Sequence, residues 1–325
     1  MKSLDEFRQF FASTLRRELE AAESARKQTI LRAVLAGLIT LLVMVLVPYA
    51  ITQAFGTEYA VGVIVLSVLV FSALGYMVMR EILSSRGFYN LFKARVIEGI
   101  IQFIDNRLRY IPHRHLTPTI LVKSRLFSKN IHEFEGDDYC FMQLSNGTFV
   151  EFSEVHAKTK IRDQAGKDME PIFDGLFAHI HCTEGRIGDL YIVPKGMDES
   201  HLSPHQSGKL QRFNTENSEF EEYFTVYGTS SVAARRYITP ALMSALVEFR
   251  RSHPDRLVYY ASHGSEVYIG MTSESHLFEP NVWKPLTDVK SLERFFEDFN
   301  DFFGLLHAAA DLSGEPIRSE AQPTT

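Results

Sequence analysis

A chain of 325 residues with 34 Lys and Arg against 40 Asp and Glu has room for one or two domains and a net charge of −6. That average hides a division: residues 1–110 carry 13 basic and 9 acidic groups (+4), and the remainder carries 21 and 31 (−10). An acidic distal part lacks the basic face that nucleic acid demands, so a nucleic-acid partner is excluded; Cys140 and Cys182, the two cysteines, fall in predicted strands and are expected to be reduced, small buried residues, with a redox pair as the alternative if their strands adjoin.

In chain order, residues 3–28 read as an amphipathic helix within a cytosolic segment 1–32. Ser3 and Glu6 form a capping box, and Leu4, Phe7, Phe11 and Leu15 share a face. Two uncharged stretches follow, Ala33–Ile51 and Ala60–Met79, each with eleven Val, Ile, Leu or Phe residues. About 20 residues at 1.5 Å each cross a hydrocarbon core of roughly 30 Å. Those side chains favour insertion by roughly 3–7 kcal/mol per span. A cleaved signal peptide does not fit, because more than thirty residues, five of them acidic, precede the first stretch. Residues 33–79 are therefore expected to form a transmembrane hairpin.

Seven Lys or Arg precede the first span, and Arg80, Arg86, Lys93 and Arg95 follow the second, while the loop Thr52–Tyr59 has none. The positive-inside rule then puts both termini in the cytosol. Tyr49 and Tyr59 would sit at the outer interface, and the basic membrane-proximal part suits an anionic cytosolic leaflet. Neither span holds Asp, Glu, Lys, Arg or His, which ion and proton pathways use. Ala33 and Gly37 are spaced to allow close helix packing.

Residues 80–112 are expected to be a stalk, helical from Phe88 to Tyr110 and stopped by Pro112. Its apolar stripe (Val96, Ile97, Ile100, Ile101, Ile104) can pack on the first helix, or the first helix can lie in the lipid interface. From 113 to 311 the pattern is that of a cytosolic α+β domain with a mixed, largely antiparallel sheet and C-terminal helices. YCFMQLS and TFVEFSEV around Asn146-Gly147 read as a hairpin with positive φ at both turn residues. Ile172–Cys182 and Leu190–Pro194 read as two strands parted by the turn-rich EGRIGD. Residues 197–217 read as a loop, and Phe220–Tyr227 as strand or short helix. Pro240 opens a helix, RLVYYAS and EVYIGMT flank His263-Gly264-Ser265 as a second hairpin, and Ser291–Ala310 forms a last helix with Phe295, Phe299, Phe302 and Leu306 inward. Residues 312–325 are expected to be a disordered tail.

The stretch FEEYFTVYGTSSVAARRYITPALMSALVEF, followed by a strand pattern and HLFEP, resembles the bacterial family of unknown function DUF3137. Ser153-Glu154-Val155, Phe173 with Gly175-Leu176, and above all Ala234-Arg235-Arg236-Tyr237-Ile238-Thr239-Pro240 carry the likeness. Thr229, Ser230 and Ser231 stand where the family commonly has an acidic residue. The resemblance implies a two-span protein of a bacterial inner membrane, and it brings no catalytic residue.

Three histidine pairs invite metal chemistry: His113/His115, His179/His181 on one face of a strand with Cys182 opposite, and His201/His205. None has strict zinc spacing and no carboxylate is placed to complete a set, so they are read as sheet-surface and loop histidines. Phosphate loops and nucleophile elbows are missing, and Glu151 and Glu154 point to opposite faces. Arg235 or Arg236 could meet an anion, and could equally be solvated. No catalytic, cofactor-binding or metal residue is assigned. The expected function is a membrane-anchored binding or scaffold module, with the lipid bilayer and a protein partner or second copy as partners. The alternative is a membrane-bound enzyme acting on a cytosolic small molecule or phosphate compound.

Overall fold

The computed structural model describes residues 2–56, 60–83, 86–163, 166–203, 210–273, 278, 283, 285–286, 289–310 and 312. Tyr59, His205, most of HLFEP and the expected tail 313–325 lie outside them. The chain divides into two compact units, one of residues 8–99 and 279–291, the other of residues 1–7, 100–278 and 292–325.

Helix α1 (Leu4–Phe10) opens on the expected capping box: Ser3 N–H donates to Glu6 Oε2 at 2.8 Å, and Glu6 N–H donates to Ser3 Oγ at 3.2 Å. A π turn (Phe11–Leu15) leads into α2 (Arg16–Phe55), and α3 (Ala60–Leu83) returns. Helix α4 (Arg86–Phe92), a second π turn (Lys93–Ile97) and α5 (Glu98–Ile104) follow. The pairs Arg95–Glu18 (3.3 Å) and Gly75–Thr40 mark two rungs of one antiparallel helical hairpin. Both α2 and α3 are long and apolar enough to cross a membrane, and only 6 % of the most apolar stretch of each is buried. Leu38, Ile39, Leu42 and Val45 all lie open. A pair of buried core helices would hide these side chains, so that alternative fails.

In the same unit, Arg26 and Glu23 form a buried pair with contacts of 2.8 and 2.6 Å. The backbone N–H of Leu286 donates to the same carboxylate at 3.0 Å and ties Leu286 to α2.

The other unit is an α+β domain. Its elements are β1 (Arg109–Ile111), α6 (Pro118–Lys123), β2 (Glu133–Gln143), β3 (Phe149–Asp163), β4 (Gly166–Pro194), β5 (Gln211–Phe213), α7 (Ser218–Tyr223), β6 (Phe224–Gly228), α8 (Ser231–Tyr237), α9 (Pro240–Ser252), β7 (Val258–Thr272) and α10 (Val289–Ala309). All described strand pairs are antiparallel; the order is β1-β2-β3-β4-β6-β5, with β7 also on β4.

Several local expectations change. The stalk helix ends at Ile104, because the Asp105 carboxylate caps the turn at Arg107 N–H (2.9 Å) and Arg109–Ile111 then pairs with β2. In the Asn146-Gly147 turn only Gly147 takes positive φ (84°). Gly147 N–H donates to Leu144 O, and Leu144 N–H to Thr148 O, so the loop has three residues, a type I turn ending on a left-handed glycine. EGRIGD is not a break between strands: β4 runs through it, spanning nine positions from His181 to Leu190 against four on β7. His263-Gly264-Ser265 is likewise no hairpin turn, since β7 pairs along its length with β4, from Ile192–Tyr260 to Gly175–Thr272. Phe220–Tyr227 splits between α7 and β6, and the expected loop 197–217 contains the short edge strand β5.

Both sheet faces are covered. On one, Phe152, Ala178 and Ile269 form a cross-strand row, with Phe299 and Phe302 of α10 packed 5.5 and 5.8 Å from Phe152. On the other, Val155, Phe173, Phe177, Tyr191 and Tyr268 pack with Leu116, Leu121 and Leu126. Phe296, off the main stripe of α10, stacks on Phe7 at 4.4 Å and meets Phe103 at 6.1 Å. Residues before His113 thus give the sheet domain both an edge strand and an aromatic stack.

Two predictions follow from this packing. Gly175 has φ of 143°, and a Cβ there would lie 2.1 Å from the carbonyl oxygen of Met271 on β7. Gly175→Ala should destabilise the domain by about 2 kcal/mol or more, read as a lowered unfolding midpoint. The second concerns Asp301, whose carboxyl lies 3.1 Å from His253 Nε2. Burial, then the neighbouring Asp298, pushes it up to about 6, while burial and Arg256 lower His253. A raised acid favours the fold while protonated, and that contribution is lost as pH rises through about 6. Asp301→Asn should therefore stabilise the chain by about 1 kcal/mol near pH 8, a figure discounted for solvent screening, with the gain gone below about pH 4.

Candidate functional site

Strand alternation projects His179 and His181 of β4 from one face. The cross-strand partner of His179 on β3 is Glu151, and that of His181 on β7 is Glu266. The four side chains join in a row: Glu151 Oε1 is 2.9 Å from His179 Nδ1, Glu266 Oε2 is 2.6 Å from His179 Nε2, and Glu266 Oε1 is 2.9 Å from His181 Nδ1. Tyr139 donates its hydroxyl to Glu151 Oε2 at 2.7 Å, beneath the guanidinium of Arg114 (4.7 Å from the ring centre). The His179 ring stacks on Tyr268, centroids 5.1 Å apart and planes 20° apart. The row grades from inside to outside, with side chains 15 % exposed at Glu151, 16 % at His179, 31 % at Glu266 and 50 % at His181.

Burial acts on His179 to lower its pKa, but the hydrogen bonds to Glu151 and Glu266 outweigh it and the net direction is upward. For Glu151, burial is likewise overcome by the bonds from His179 and Tyr139, and for Glu266 by those from His181 and His179; both carboxyls fall below their ordinary value. The sequence leaves the His179/His181 pair without a carboxylate. The register supplies two, from strands whose sequence distances are 28 and 85 residues.

A second polar cluster lies at the β2 bulge. Asp137, Asp138 and Glu154 bring carboxylate oxygens within 4.8 Å of one another. Asp138 takes a positive φ (58°), is fully buried and accepts a hydrogen bond from Tyr110 of β1. His156 sits 2.7 Å from Asp174 and 3.8 Å from Glu154. Burial, then the Asp138 charge, drives the Tyr110 phenol far upward and also raises the Cys140 thiol. Glu151 joins the first cluster and Glu154 the second, in keeping with opposite faces. The sequence signal for this cluster is the Asp137-Asp138 doublet opposite Glu154 across the first hairpin.

Of the other two histidine pairs, His115 has Nδ1 2.7 Å from the Leu116 carbonyl and His201 has Nδ1 3.0 Å from Asp198. Arg235 and Arg236, on the seven-residue α8, line two separate clefts. One, of about 510 Å³, is bounded by Phe213, Thr215, Ser231 and Met243; the other, of about 360 Å³, by Asn146, Thr148, Cys182 and Tyr237. Cys140 is buried on β2 and Cys182 half-exposed on β4; β3 separates these strands, so the two thiols are not cross-strand neighbours.

Residues 171–309 match the profile of a family described as a protein of unknown function, DUF3137. This segment runs from β4 to α10 and contains His179, His181, Glu266 and the Ala234–Pro240 core. No curated protein matches the chain. Among solved structures, the mycobacterial trehalose monomycolate transport factor A, TtfA, aligns over 65 % of this chain and 94 % of its own, at 15 % identity and a TM-score of 0.31. A likeness that distant carries no argument about this chain.

Tyr110 tests the second cluster. Tyr110→Phe leaves the ring but removes the donor to a buried carboxylate, and should cost about 1–3 kcal/mol in chemical unfolding.

Proposed function

We propose that this chain, a member of the DUF3137 family through residues 171–309, is a membrane-anchored scaffold that holds a cytosolic sheet domain at an inner bacterial membrane. The observation that supports it most is the exposure of the apolar side chains of α2 and α3, over a length suited to a bilayer. Leu38, Ile39 and Leu42 of α2 and Val61, Leu66 and Leu69 of α3 open outward. Hydrocarbon is the solvent that makes such a surface favourable.

The flanks agree with this reading. Trp283, 64 % exposed, lies three positions before Leu286, whose N–H meets Glu23, ten residues before the first uncharged stretch. Tryptophan at such a place suits the lipid–water interface. The asymmetry of Lys and Arg about the spans favours cytosolic termini, and the acidic domain beyond them has no catalytic motif. Its polar face and the two clefts beside α8 are surfaces for a bound partner.

A reporter active only outside the cytosol, fused after Thr325, should be silent, and the same reporter inserted after Gly56 should be active. Activity at Thr325 would overturn the orientation. Release of the full chain from membranes by alkaline carbonate would overturn the integral anchor.

A further inference from the structure

We infer that His179, His181 and Glu266 form a binding site for one divalent first-row transition ion, with zinc as the reference, and that Glu151 positions His179 for it. Two imidazoles and one carboxylate are a donor set that such ions take, leaving further coordination positions to water or substrate. The inference does not depend on the membrane reading.

Placement comes from the sheet. Histidines at positions i and i+2 of a strand share a face, and the residue opposite the second on the adjoining strand is the carboxylate. Both rings already address that group: His179 Nε2 contacts one oxygen of Glu266 at 2.6 Å and His181 Nδ1 the other at 2.9 Å. In the structure Glu266 stands between the two nitrogens. A cation in that position needs the carboxylate to swing aside and His181 to turn inward. Both are the solvent-facing members of the row, 31 % and 50 % exposed, so they are free to rearrange and they leave an entry path.

The inner half is already fixed. A metal-binding imidazole commonly donates its second ring N–H to a carboxylate, which sets the tautomer and the ring's orientation. His179 has that arrangement: Nδ1 lies 2.9 Å from Glu151, and Glu151 is itself held by the Tyr139 hydroxyl at 2.7 Å. With Nδ1 kept as donor to Glu151, Nε2 is the nitrogen that faces a cation; in the metal-free structure it donates to Glu266, and it gives up that proton when a cation takes its lone pair. The stack on Tyr268 limits rotation of the ring. An ion-paired surface histidine needs one carboxylate; a second one, buried and tied down behind it, is what a ligand requires.

The test uses the full chain in detergent, stripped with a chelator and titrated with Zn²⁺ and, in parallel, with Co²⁺. One equivalent should bind, with the visible absorption bands of a low-coordinate cobalt centre. His179→Ala and His181→Ala should each weaken binding at least about 100-fold, and Glu151→Gln about 10- to 100-fold with the stoichiometry kept. His201→Ala, at a surface histidine outside the site, should change nothing. Circular dichroism establishes that each variant is folded; should His179→Ala not be, the exposed His181 decides. No saturable binding to the folded chain overturns the inference. So does binding that His181→Ala leaves unchanged, or that His201→Ala weakens equally.

Discussion

The sheet domain depends on one constraint: a 29-residue strand, β4, must find backbone partners along both edges. Buried N–H and C=O groups left unpaired are costly, so the rest of the sheet is arranged to satisfy it. β3 takes one edge of the first part, β6 takes the later part, and β7 runs along the other side. Where the lengths of β4 and β7 disagree, the excess in β4 is absorbed between His181 and Leu190 rather than by ending the strand. Gly175 belongs to the same account: β7 approaches so closely there that a Cβ has no room.

The helical unit obeys the opposite logic. Its backbone is satisfied internally, turn by turn, so its side chains need not be covered by protein. They are instead uncharged and largely apolar over two stretches, and most of them are left open. The buried Arg26–Glu23 pair and the Arg95–Glu18 bridge lie outside those two stretches. On the membrane-anchored reading proposed above, the chain uses two solvents, and the change of side-chain chemistry at Arg32 and Arg80 separates them.

Local chemistry was legible in the sequence wherever a few adjacent residues decide it. The Ser3–Glu6 box, Pro240 opening α9, and the left-handed Gly147 all stand as read. The aromatic stripe Phe295, Phe299, Phe302 and Leu306 also faces inward. Turn-rich composition misled at EGRIGD and at His263-Gly264-Ser265, because a bulge and a turn use the same small and polar residues. Strand β1 was hidden in a helical pattern, since three residues of Arg109–Ile111 pair only because Tyr139–Phe141 lie opposite. The α+β class survived these errors because alternation and helix periodicity were right even where boundaries were not.

The histidine–carboxylate row shows why a site is harder to read than a fold. His179 and His181 announce themselves as a spaced pair, yet their meaning lies in Glu151 and Glu266, which reach them only through the registers of β3 and β7. A one-residue slip in either strand would turn that carboxylate to the opposite face and leave the imidazoles without it. The bulge that ends regular pairing after His181 also sets where β7 begins to match β4, and so which residue stands opposite His181. Tyr139 and Tyr268 belong to the buried cluster and also hold Glu151 and His179, so the core fixes the inner half of the row. Packing thus supplies the rigidity and register supplies the chemistry, and the outer half is left to whatever binds from solvent.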